Sequence, residues 1–121
     1  MSTLKADNVQ STSGGAITLT NQAAAKVFSA FDMGSSFTLQ KSLNVSSLGD
    51  NGPGAALINL TNALADTHPS IVSGVGDNST HNATSDTNEV LSTSQYRHNH
   101  FENNGSQDVT DCSNAAFGDL A

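Results

Sequence analysis

Residues 37–61 read FTLQKSLNVSSLGDNGPGAALINLT, and their periodicity decides the fold class. Phe37, Leu39, Leu43 and Val45 alternate with polar residues, with only Lys41 interrupting the apolar side. A period of two is the signature of a half-buried strand. Asp50-Asn51-Gly52-Pro53-Gly54 then supplies turn chemistry, because Gly and Asn tolerate positive φ and Pro fixes its own. The run 55–61 returns as the partner strand, so the stretch predicts a long β-hairpin.

Downstream, residues 63–69 read as a connection and 70–75 as a strand. Residues 76–88, GDNSTHNATSDTN, hold no large apolar side chain and read as a surface loop. Strands are expected over 89–94 and 96–102, a hairpin turn at Asn103-Asn104-Gly105, and a closing strand over 112–117. Upstream, 4–10 and 16–19 are short extended runs about a Ser/Gly loop, which makes 1–20 an N-terminal hairpin. Thr20 is a good N-cap, and Ala24, Val27, Phe28 and Phe31 fall on one helical face, with Gly34 placed as a stop. A short helix is therefore expected over 21–34, with Val27, Phe28 and Phe31 as the stripe available to an oligomer core. The expected architecture is mainly β: an antiparallel β-sandwich-like domain over 35–121 behind a hairpin and one helix.

Composition narrows the class. Ser, Thr and Asn make up 42 of 121 residues, with no Trp and one Tyr, so only a thin core can form. A lone mini-domain gains only roughly 3–5 kcal/mol from such a core, and association with further copies would bury more. The net charge of −7, with four Lys and Arg in all, argues against nucleic-acid binding, which requires basic patches. Cys112 is alone, so the fold cannot rest on an intrachain disulfide. The first residues lack the apolar core of a secretory signal, and no run approaches transmembrane length.

Among chemistry-bearing patterns, Arg97-His98-Asn99-His100 is the sharpest, since residues two apart on a strand share a face. Three chains meeting there could bring six imidazoles to one Fe, Zn or Ni ion. Asp50, Asn51, Asp108 and Asp111 lack calcium-loop spacing and read as turn residues. No Ser stands in a nucleophile elbow and only two Glu are present, so no enzyme motif emerges. Tyr96, Phe101 and His81 are the candidates for a sugar face, although Phe101 is expected in the core with Tyr96 at its edge.

The ordered set SLNVSS, DNGPG, LINLTNALAD and the ending AAFGDLA resembles the repeated β domain of bacteriophage tail-fibre proteins. The resemblance spans about residues 27–121. It implies a virion structural protein, made in the host cytoplasm, that acts as a tail fibre or tail-tip component in host attachment. A capsid decoration or head-fibre protein is the alternative, and a free carbohydrate-binding module the third reading. The resemblance further implies a homotrimer docked on other tail proteins through its N-terminal hairpin, without membrane insertion. The His98/His100 pair would then hold a shared metal of the kind found in trimeric fibres, with no catalytic role. Asp50 and Asn51 on the turn, and Asp77, Asn78, His81, Asn82 and Asp86 in the polar tract, are the expected contacts to a host glycan or protein.

Overall fold

The computed structural model describes residues 24–34, 36–76, 85–102 and 105–121. The hairpin expected over 1–20 lies outside them. Among the described residues nine strands follow in order: β1 Val27–Asp32, β2 Thr38–Leu43, β3 Val45–Asp50, β4 Ala55–Leu60, β5 Ser70–Val75, β6 Ser85–Ser92, β7 Gln95–Glu102, β8 Gly105–Ser106 and β9 Cys112–Phe117. All pairings are antiparallel. Sheet A runs β2-β1-β9-β5; sheet B runs β3-β4-β7-β6, with β8 added to the end of β7. Alternate residues of both sheets meet in one core, as in a β-sandwich.

The opening stretch is not one strand. Asn44 takes φ +59° and divides it, so that β2 belongs to sheet A and β3 to sheet B. Asn tolerates this left-handed conformation better than most residues. Its side chain is held there: Oδ1 accepts from the Asn62 backbone N–H at 2.7 Å, and Nδ2 donates to the Asn62 carbonyl at 3.0 Å. The hairpin partner of β4 is thus β3 alone, while β2 turns back to pair with β1. The 50–54 turn forms as expected, with the Gly52 N–H donating to Asp50 Oδ1 at 2.8 Å. Gly54 has a stricter duty: at φ +67° a Cβ would stand 2.5 Å from the His100 carbonyl oxygen.

The helix expected over 21–34 is absent from its described part, where Val27–Asp32 is a central strand between β2 and β9. Val27, Ser29 and Phe31 point inward and are fully buried. Ser29 was not among the residues of the expected helical face. Here its hydroxyl donates to Asn114 Oδ1 at 2.6 Å, which lets a period-two pattern with a polar middle member enter the core. Val27 and Phe31 therefore pack in the chain's own sandwich instead of an oligomer core, while Phe28 faces outward.

Eleven hydrophobic residues are buried among those described, including Phe31, Met33, Ile58, Leu64, Tyr96 and Val109. The closing segment lies against the 63–69 connection through a Leu64–Leu120 bridge. Strand β5 has the expected bounds. Strand β6 begins at Ser85, so residues 85–88 of the expected loop are strand, and 77–84 lie outside the described residues.

Candidate functional site

Strands β6 and β7 pair so that Asp86 stands opposite His100, and Asn88 opposite His98. Tyr96, His98 and His100 take the inward parity of β7 and are all but fully buried, while Phe101 is 39% exposed. This reverses the expected placing of Tyr96 at the edge and Phe101 in the core. The two imidazoles do share one face, but that face lies between the sheets of one chain rather than on an exposed threefold surface.

His100 Nδ1 lies 2.7 Å from Asp86 Oδ1, and its Nε2 lies 3.5 Å from Glu102 Oε1. Asp86 and Glu102 keep 18% and 12% of their side-chain surface, so two partly buried carboxylates flank one ring. His98 is placed differently. Its ring meets Phe31 edge-on at 5.7 Å between centroids, and neither nitrogen has a hydrogen-bond partner among the described residues. Nε2 stands 3.9 Å from Asp86 Oδ1. Burial pushes its pKa below the ordinary imidazole value; Asp86 acts against that shift and His100 adds to it.

A second polar knot lies alongside. Asn114 Oδ1 accepts from both Ser29 and Tyr96, each at 2.6 Å. Burial pushes the Tyr96 phenol up to about 12, with the Ser29 hydrogen bond pulling the other way. Between the edges β5 and β6, Asn88 Nδ2 donates to Ser73 Oγ at 2.9 Å. A groove of about 650 Å³ opens at this edge, lined by Pro69, Ile71, Ser73, Asp86, Asn88 and Val90.

The two outer faces differ, although the strands of sheet B also expose Leu91 and Phe101, at 42% and 39%. Across sheet A, Leu43 pairs with Phe28, Phe28 with Ala115 and Ala115 with Val72, forming one apolar row over all four strands. Leu43, Phe28 and Val72 are 54%, 37% and 55% exposed. Across sheet B runs a hydrogen-bonded polar row: Asn59 Nδ2 donates to Ser47 Oγ at 3.0 Å, and Gln95 Nε2 to Asn59 Oδ1 at 2.6 Å. Beside it Arg97 pairs with Glu89.

Of the residues singled out from sequence, Asp50 and Asn51 sit exposed on the β3–β4 turn. Asp77, Asn78, His81 and Asn82 lie outside the described residues. Asp86 faces the buried histidines instead of a loop surface. The roles of Asn88, Glu102, Ser73 and Asn114 were not anticipated, although the alternation Asp86, Asn88, Val90 was there to be read as one strand face. Among the described residues, no three His, Cys, Asp or Glu side chains are gathered closely enough to hold a metal by themselves. No helix there is long and apolar enough to cross a membrane. Comparison with family models, curated proteins and solved structures found no match.

Proposed function

We propose that this chain is a structural and adhesive module of a bacteriophage virion, a tail-fibre or tail-tip component that works as a homotrimer in host attachment. The observation that carries assembly is the row Leu43–Phe28–Ala115–Val72 on the outside of sheet A. A contiguous exposed apolar row on one face is the mark of a surface that packs on a partner. The thin core adds to this, since copies of the chain bury what one copy leaves open. The viral setting rests on the resemblance of NVSS, DNGPG, LINLTNALAD and AAFGDLA to fibre domains. In this reading sheet A gathers the copies, sheet B faces water, and the exposed Asp50-Asn51 tip is the contact offered to a host glycan or protein. No catalytic step is assigned.

Light scattering of the purified full chain tests the assembly. A trimer is expected, falling to a monomer in Phe28→Ser and Val72→Ser variants that keep their circular dichroism. A wild-type monomer, or a trimer indifferent to both substitutions, would overturn it. Immunogold labelling of particles addresses the setting: label at the tail supports the reading, and label over the capsid lattice favours a decoration protein.

A further inference from the structure

We propose that the inner face of the β6–β7 ladder binds one divalent first-row transition-metal ion per chain, with Asp86, Asn88 and His98 as its protein donors. Three features meet there. Asp86 and Asn88 are two residues apart on β6 and share its inner face, and His98 stands opposite Asn88 on β7. His98 is fully buried, with both ring nitrogens lacking a hydrogen-bond partner among the described residues. Asn88 spends its Nδ2 on Ser73, which leaves its buried Oδ1 in the same condition.

What converges is therefore a set of electron-pair donors: a carboxylate, an amide oxygen and an imidazole nitrogen. Of these, the Asn88 oxygen and the His98 ring are buried without a hydrogen-bond partner among the described residues, which is costly, and a cation would satisfy the amide oxygen and one ring nitrogen together while Asp86 supplies negative charge. The mixed nitrogen and oxygen set suits Zn²⁺, Co²⁺ or Ni²⁺ better than a soft or an all-oxygen metal. Bonds of this kind place neighbouring donor atoms roughly 3.0–3.5 Å apart. The 3.9 Å between His98 Nε2 and Asp86 Oδ1 is wider than this by about 0.4–0.9 Å, so the two side chains would have to close on the ion.

The supporting groups are in place. His100 at 2.7 Å fixes the Asp86 carboxylate, Ser73 fixes the Asn88 amide, and the Phe31 edge sets the His98 ring plane. The β5–β6 groove borders both β6 donors, giving an entry path and room for water to complete the coordination. The site belongs to a single chain and does not depend on assembly.

The test is titration of the full chain, stripped with a chelator, with CoCl₂ and then ZnCl₂. The readouts are cobalt d–d absorption, stoichiometry and melting temperature. One ion per chain is expected, with zinc displacing cobalt. His98→Gln and Asp86→Asn should each weaken binding by more than about tenfold, whereas His68→Gln, at an exposed position, should not. Should the first two fail to fold, Asn88→Asp decides, because an added charge at a true ligand tightens binding. Absence of saturable binding, one ion per three chains, equal loss in His68→Gln, or unchanged affinity in a folded Asn88→Asp would each overturn the proposal.

Discussion

Asp86 Oδ1 lies 2.7 Å from Nδ1 of His100, and that imidazole has no exposed surface. The contact is set by register: β6 and β7 place the two residues opposite each other on the inward side. A polar pair thus occupies a position where a small β-sandwich would ordinarily carry Val or Ile.

Removing the carboxylate should therefore cost more than its partial exposure suggests. In metal-free buffer, Asp86→Ala strips a hydrogen-bond partner from a buried ring and should destabilise by about 1–3 kcal/mol. That corresponds to a fall in melting temperature of roughly 4–8 °C per kcal/mol in a domain of this size. Asp50→Ala on the exposed turn should cost less, and equal losses in thermal melts would contradict the assignment.

The Asn114 knot makes a second prediction. Asn114→Leu leaves the Ser29 and Tyr96 hydroxyls buried without their shared acceptor, at a cost of about 1–3 kcal/mol for each orphaned group. Adding Ser29→Ala should recover part of that loss, and a double-mutant cycle in urea measures it.

Tyr96 is the one tyrosine in a chain without tryptophan, so the tyrosinate absorption band reports on it alone. Its ionisation should be centred near pH 12 in the folded protein and near 10 in denaturant. The folded value is raised, so its contribution is fully present below pH 10 and is lost as pH climbs towards 12. The loss amounts to about 2–3 kcal/mol over that window. A folded-state midpoint at 10 would place the phenol in water.

Gly54→Ala combines positive φ with a backbone collision at the His100 carbonyl, and should destabilise by well over 1 kcal/mol. Gly74→Ala meets nothing within 4 Å and has no positive φ, so its melt should stay close to wild type. Similar melts for the two variants would show that the turn can move away.

What could be read from sequence was what is local. The bounds of β5, the 50–54 turn and the closing strand depend on period-two alternation and on Gly, Asn and Pro, and all three are found. The helix expected at 21–34 failed in its described part because Ser29 reads as polar until Asn114, 85 residues away, supplies an acceptor. Phe101 was expected inside on hydrophobicity. The interior instead holds His98 and His100; burial of His100 becomes tolerable beside Asp86 and Glu102, while His98 has no hydrogen-bond partner among the described residues. The HxH spacing did show that two imidazoles share a face. It could not show that the face was internal, since that depends on cross-strand partners.

The left-handed turn at Asn44 also restricts how the gene can change length. Strands β2 and β3 follow one another directly, yet their inward residues address different sheets, so Asn44 acts as a phase mark between two alternations. Both strands already carry a one-residue register shift, in β2 between the partners of Ala30 and Phe31 and in β3 between Val45 and Ser47, so a further codon added or removed beyond those bulges would send Leu39 or Leu48 to solvent. Further along, the exposed tip at Asn51 and Pro53 bears no such constraint. Length variation in this region of the chain should therefore collect at the tip and spare the crossover.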